Sequence, residues 1–313
     1  LLSVAANPTI DRTLYVPELS VGAVHRTGDI HLAAGGKGMN VTRAALTLGY
    51  EILATAPLAG HTGQLMADLA TAEDLPVDWY WQKTGETRNC ILINHDTGDT
   101  TVINEAGSRM SSVDWLGFAA HVERLARRAQ VVTFSGSVLP GVEPAALGEL
   151  ARSLAVERTI YLDSSGATLS AALAQPNGLC FKVNRSELVQ GLALEPDQLS
   201  DESLLDAGKR LLARGAALVV VTLGGEGALA IAPEGCWRID APSVPVISTV
   251  GSGDCLLTGL AAARLAGQSL TAALAQGAAC GAANAMTRLP GRFDRAAVES
   301  LRSGITPTKI AAV

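Results

Sequence analysis

Short apolar runs alternate with amphipathic stretches along this chain, and the rhythm changes near residue 112. Beyond that point, uninterrupted apolar runs at 131–134, 159–162, 180–183 and 218–222 each follow a segment with helical spacing, at 112–128, 144–155, 167–174 and 201–213. Apolar strands of about five residues separated by helices indicate a parallel sheet covered on both faces. Strands 227–232 and 236–239, joined by Pro233-Glu234-Gly235, are expected to form a hairpin, with helices at 253–265 and 270–287 after it.

The first third reads differently. Residues 1–6 are an apolar strand ending at the Asn7-Pro8 turn, and no basic segment marks them as a signal peptide. Segments 14–16 and 23–32 alternate apolar and polar residues, as exposed antiparallel strands do. The cluster Gly35-Gly36-Lys37-Gly38 runs directly into a helix expected over 39–48 and stopped at Gly49. Further strands are expected at 52–56, 79–82, 90–94 and 100–104. The pattern therefore predicts one α/β domain over residues 1–313: a three-layer α/β/α body with a mostly parallel central sheet, plus a small β-sheet lid from about 12–33 and 78–104. A lid with one wet face either closes over a ligand or pairs with a second subunit, so a homodimer through the lid is expected.

Composition narrows the function classes. The net charge of -6, without a Lys/Arg-rich block, leaves no electrostatic footprint for nucleic acid or an anionic membrane. Five cysteines (Cys90, Cys180, Cys236, Cys255, Cys280) are scattered with no CxxC spacing, which suits a reducing cytoplasm better than a disulfide framework. The five histidines are equally dispersed, so no zinc site is expected. The longest uncharged stretch, 270–286, is rich in Ala and Gly and carries Gln276 and Asn284. It reads as a buried core helix, because a membrane span wants about 20 strongly apolar residues.

Two glycine clusters carry the candidate chemistry. In Val250-Gly251-Ser252-Gly253-Asp254 two glycines flank a small residue just before a long apolar helix. Unpaired backbone N–H groups at such a helix start carry partial positive charge and suit an anion. An aspartate there can take a proton from a hydroxyl while those N–H groups stabilise a transferring phosphoryl group; the plainer reading is a turn with Asp254 as a helix cap. The second cluster, Ala34-Gly35-Gly36-Lys37-Gly38-Met39-Asn40, is not a Walker P-loop, because Gly38 follows Lys37 and His31 holds the place of the first glycine. It permits close backbone approach to a polyhydroxy ligand, with Lys37 and Asn40 as donors. No GxGxxG follows a strand, which removes the main support for dinucleotide binding.

Asn7-Pro8-Thr9-Ile10-Asp11, the 34–40 cluster, Ser135-Gly136-Ser137, Lys182-Val183-Asn184-Arg185-Ser186-Glu187-Leu188, Thr222-Leu223-Gly224-Gly225-Glu226-Gly227-Ala228 and 250–254 occur in one order. Together they resemble the PfkB (ribokinase-like) carbohydrate kinases over nearly the whole chain. The resemblance is strongest to the hexose-phosphate branch, which holds tagatose-6-phosphate kinase, 1-phosphofructokinase and the minor 6-phosphofructokinase. Gly85-Glu86-Thr87-Arg88-Asn89-Cys90 and Asp163-Ser164-Ser165-Gly166-Ala167-Thr168-Leu169 look like tagatose-6-phosphate kinase in particular. Val183 stands where the family usually has Pro, Cys255 where Ser is common, and the order Ser137-Val138-Leu139-Pro140-Gly141 also departs from the family's.

The resemblance implies ATP and Mg²⁺ as cofactors, Asp254 as catalytic base, and Gly251, Ser252 and Gly253 as an anion hole. It implies Lys182 near the nucleotide phosphates, Thr222, Gly224 and Gly227 lining the nucleotide site, and Asn284 near adenine. Asn184 and Glu187 would help place the metal, often through water. Asp11 would bind sugar hydroxyls, with Gly36, Lys37, Asn40 and Ser137 around the sugar; Arg88, and more weakly Arg26, would take its existing phosphate. Two other readings share the motifs: a ribokinase- or nucleoside-kinase-like enzyme on an unphosphorylated acceptor, and a non-catalytic sugar-phosphate sensor. Lys37 with Arg88 argues against the first, and Asp254, Glu187 and the intact glycine turn argue against the second.

Overall fold

The protein is described from a computed structural model that covers residues 1–95, 100–195 and 199–313. The chain opens with β1 (Leu2–Ala5), β2 (Thr9–Tyr15), β3 (Ile30–Gly35) and α1 (Lys37–Thr47). Next come β4 (Leu53–Thr55), β5 (Pro57–Leu58), α2 (Gly60–Ala72), β6 (Tyr80–Trp81), β7 (Arg88–Asn94) and β8 (Thr100–Asn104). The alternating part holds α3 (Ser112–Ala126), β9 (Val131–Ser135), α4 (Ala146–Leu154), β10 (Thr159–Asp163), α5 (Gly166–Ala174), β11 (Leu179–Asn184), α6 (Arg185–Gly191), α7 (Asp201–Ala213) and β12 (Leu218–Thr222). It closes with β13 (Ala228–Ala232), β14 (Gly235–Ile239), α8 (Ser252–Leu265), α9 (Leu270–Ala285), α10 (Arg295–Ser303) and β15 (Thr308–Ala311).

The central sheet runs β15-β14-β13-β12-β11-β10-β9-β1-β4. Its β12-to-β4 half is parallel and its β13–β15 edge antiparallel. Helices cover both faces. One core gathers Phe118, Phe134, Leu147, Phe181 and Leu211, and the other sets Tyr161, Val220 and Trp237 against Leu257, Leu260 and Leu274. The three-layer α/β/α body with its mostly parallel sheet is therefore as expected. Among the described residues no helix is long and apolar enough to cross a membrane.

A separate four-stranded sheet, β3-β2-β7-β8, forms the lid. It differs from the sequence expectation in detail. The strand expected at 79–82 shortens to β6, which pairs in parallel with β5 of the body and not with the lid. The strand expected over 23–32 is instead β3, and residues 16–29 carry none; Val21 and Val24 in that loop are exposed, so their alternation reflects no buried face. Residues 96–99 of the expected lid span lie outside the described residues. Helices α2 and α10 and strand β15 have no counterpart in the sequence reading. In α2 only Gly63, Met66 and Ala70 are buried, so its apolar stripe is too thin to stand out.

Parallel register places the carboxyl ends of the body strands on one rim. Ala5 pairs with Ser135, Ser135 with Asp163, and Asn184 with Thr222. In open α/β sheets ligands bind beyond these ends, and here the lid rises over the same rim.

Candidate active site

Helix α8 begins at this rim. Gly251 caps it in the left-handed region at φ 80°, and a Cβ there would sit 2.6 Å from Pro290. At Gly253 a Cβ would meet only the end of the Lys182 side chain, whose Nζ would lie 2.8 Å away. Gly251 is thus required both by close approach and by conformation. Asp254, buried in the first turn, accepts a hydrogen bond from Asn40 Nδ2 at 2.8 Å. Burial, then the neighbouring Asp163 charge, pushes its carboxyl up to about 6, against the pull of Lys37, Lys182 and Asn40.

The second glycine cluster turns β3 into α1. Gly36 caps α1 at φ 91° and donates its N–H to Asp11 Oδ2 at 3.3 Å. Gly35 lies so close that any Cβ would fall within 2.5 Å of the Asp11 carboxylate atoms. Burial raises the Asp11 carboxyl to about 6, opposed by the Gly36 N–H and by Arg43 and Arg88. Asp11 Oδ1, Asn40 Oδ1 and Ser135 Oγ are buried without a hydrogen-bond partner among the described residues, and all three residues line one cleft. Orphaned polar atoms of this kind are costly unless a ligand or water meets them.

A buried carboxylate that the sequence reading did not assign, Asp163, organises the centre. Fully buried at the end of β10, it takes Lys37 Nζ at 2.5 Å on one oxygen and Lys182 on the other. Burial works against its charge, and the two ammoniums overcome it, holding the carboxyl below its ordinary range. Lys37 in turn stays protonated above its usual range: burial opposes this, but Asp163, Asp254 and Glu187 prevail. Two sequence signals touched Asp163: it opens the tract 163–169 that resembles tagatose-6-phosphate kinase, and it stands directly after the apolar run 159–162, at a parallel strand's carboxyl end.

Asn184 and Glu187 form a capping box at the start of α6. Asn184 Oδ1 accepts from Glu187 N–H at 2.8 Å, and Glu187 Oε2 accepts from Asn184 N–H at 2.8 Å. Glu187 Oε1 remains outside the box, 3.7 Å from Lys37 Nζ. Arg88 opens β7. Its Nε donates to Asn7 Oδ1 and its Nη1 to Asn104 Oδ1, both at 2.9 Å, with the Glu105 and Asn7 carbonyls as further acceptors. These partners are all neutral, so the guanidinium is held in place with its charge uncompensated by any ion pair among the described residues.

Two clefts meet here. The larger, about 730 Å³, is lined by Asp11, Gly36, Lys37, Asn40, Arg88, Ser137, Lys182, Glu187, Gly251 and Asp254. The other, about 450 Å³, is walled largely by small residues including Gly224, Gly225, Gly227, Ala282 and Ala285, with Ser252 at its inner end. Asn184, Thr222 and Gly253 line both. Two residues of the sequence reading lie apart. Arg26 is exposed on the loop between β2 and β3 and lines neither cleft; Asn284 is fully buried beneath the α8 turn.

Comparison with known proteins gives the family. A model of the pfkB family of carbohydrate kinases matches residues 3–291. The chain belongs to this family. As a pfkB-family sugar kinase it shares its fold with phosphofructokinase-2 of Escherichia coli solved with potassium, at 26% identity, TM-score 0.89, and 97% and 98% coverage of the two chains. The same enzyme solved with fructose 6-phosphate matches at 25% identity, TM-score 0.86 and the same coverage. A Thermotoga maritima protein described as a possible 1-phosphofructokinase shares the fold at 21% identity, TM-score 0.88 and 99% coverage of each chain.

Proposed function

We propose that this pfkB-family kinase transfers the γ-phosphoryl group of ATP to a hydroxyl of a ketohexose monophosphate, giving the bisphosphate, with Asp254 as general base. The observation that carries the reading is the meeting of the two clefts at Gly253, with Asp254 on the side of the larger one. The larger cleft suits the acceptor. Its orphaned Asp11, Asn40 and Ser135 oxygens match sugar hydroxyls, and Arg88, which lines the same cleft without an ion pair among the described residues, brings positive charge to a phosphate. The slot walled by glycines and alanines suits a flat base with its phosphates directed toward Ser252 and Gly253.

The chemistry follows from that arrangement. Asp254 accepts the acceptor's proton as its oxygen approaches the γ-phosphorus; the bond to the ADP oxygen breaks and ADP leaves. The transition state is loose, so alignment and charge neutralisation supply most of the acceleration. The α8 N–H groups face the transferring group, while Lys37 and Lys182, both paired with Asp163, supply positive potential. Among the described residues no three His, Cys, Asp or Glu side chains stand close enough to hold a metal by themselves. Glu187 Oε1 beside the cleft nevertheless fits Mg²⁺, which keeps several waters and takes one or two carboxylates plus substrate phosphates. Bound there with Asn184 near, the ion would neutralise phosphate charge.

Tagatose 6-phosphate, fructose 6-phosphate and fructose 1-phosphate all present a phosphate that Arg88 can hold opposite a hydroxyl near Asp254. An ADP-release assay comparing kcat/KM across the three, with Asp254→Asn as control, tests the proposal. Turnover with at least one, and a fall of about 10²–10⁴ in the variant, is expected. Equal or better turnover of unphosphorylated sugars would favour the ribokinase-like reading, and binding without turnover the sensor.

A further inference from the structure

Asn284 is the most completely engaged polar side chain near the site, and it touches neither cleft. It sits on α9 with no exposed surface, although its neighbours Ala282 and Ala285 line the slot assigned above to the nucleotide. Its amide nitrogen donates to Val250 O at 2.8 Å and to Ser252 Oγ at 3.1 Å. Its oxygen accepts from Gly291 N–H at 2.8 Å and from Cys255 Sγ at 3.4 Å. An amide has two donors and two acceptor sites, and all four are used here, so a ligand could bind it only by breaking one of these bonds.

The four contacts converge on one purpose. Val250, Ser252 and Cys255 bracket the α8 turn on both sides of Gly251 and Gly253. Gly291 belongs to the segment that closes against the same turn: a Cβ on Gly251 would meet Pro290 at 2.6 Å, and one on Gly291 would meet Asn40 O at 2.9 Å. Asn40 is the residue that donates to Asp254. Asn284 therefore ties the anion turn, the Pro290-Gly291 segment and, through Asn40, the carboxylate of Asp254 into one rigid unit.

We infer that Asn284 is a positioning residue that fixes the anion turn of α8 and the aim of Asp254, and that it makes no contact with the nucleotide base. The inference rests on the kinase reading above. In-line transfer is sensitive to small displacements, and a shift of about 1 Å can cost 10²-fold in rate. Loss of the Asn284 amide is thus expected to act on kcat.

Asn284→Ala is expected to lower kcat about 10- to 100-fold, on the same positional grounds, while the KM values for ATP and sugar phosphate change less than about threefold. Its ratio of ATP to GTP turnover should match that of the parent. In a double-mutant cycle with Ser252→Ala the two losses should be clearly non-additive, because Asn284 acts through the turn that holds Ser252. A preserved kcat with a raised KM for ATP and an altered ATP/GTP ratio would overturn the inference in favour of base contact. Additive losses would overturn it in favour of general destabilisation. If the alanine variant does not fold, Asn284→Asp keeps the volume and both acceptor contacts and removes both amide donations; it should show the same kcat loss. An inactive parent enzyme across the sugar-phosphate panel would instead count against the kinase reading, so the two failures are distinguishable.

Discussion

Asp254 occupies a place that raises the cost of its own charge. It is buried, stands near a second carboxylate, and its pKa is lifted to about 6 while still answering to two ammoniums. A base must be ionised to work, so catalysis should persist above this value and fade below it. Asp11, also lifted to about 6 by burial, accepts from sugar hydroxyls on both oxygens only when ionised, and more strongly as the anion. The acid limb of kcat/KM is therefore expected near pH 6, with a slope between one and two. A pH profile of kcat/KM checks this; a limb near pH 4 would show that neither raised carboxylate governs the reaction. At this scale the glycine motifs pointed to Lys37, Asn40 and Asp254 from their own chemistry, while Asp11 and Arg88 were reached only through the resemblance to the kinase family. The sequence reading missed Asp163, an aspartate at the end of an apolar strand, since nothing local shows that two lysines from distant segments converge on it.

Elements decide how those residues are held. Glu187 does two things at once: one oxygen closes the capping box of α6, and the other faces Lys37. Asn184 and Glu187, as cap and third helical residue, bond reciprocally across the first turn of α6. Strands β10 and β11 are parallel neighbours, and their carboxyl ends bring Asp163 beside Lys182. Because the folded carboxyl of Asp163 lies below its ordinary range, its charge stabilises the fold above the unfolded value and loses that effect as pH falls through the folded one. Asp163→Asn would leave Lys182, only 4% exposed, without its carboxylate. Breaking a buried pair in this way costs about 3–5 kcal/mol. The variant is thus expected to melt well below the parent at neutral pH, with the gap narrowing in acid, as thermal denaturation at several pH values would show. Elements with strong periodicity, such as α7 and the apolar strands, were legible; α2 and α10 were not, because few of their residues are buried.

The whole molecule adds the lid and what it faces. Cys90, Leu92 and Val102 look into the acceptor cleft, so the alternate residues of the same strands turn away from it. Register aligns Ile30 with Leu14, Leu14 with Ile93, and Ile91 with Ile103, an apolar stripe on the outer face. Ile30 and Ile103 are 46% and 53% exposed. Such a face is commonly covered by a partner, and a second copy stacking through its own lid is the proposed occupant. Solution scattering is expected to give twice the 32.2 kDa chain mass, with Ile103→Glu shifting it toward the monomer; a monomeric parent at working concentration would sink the proposal.

By itself the sequence determined the layered α/β body, the two glycine turns and the order of the motifs, because these depend on periodicity and on local backbone freedom. The tertiary structure alone decided three further matters. Asp163 became the shared partner of Lys37 and Lys182, Asn284 went beneath the anion turn and not into a cleft, and Arg26 stayed on an outer loop. Each of these depends on which strand ends and loops meet in space, through contacts between residues far apart in the chain, and local pattern carries no record of them.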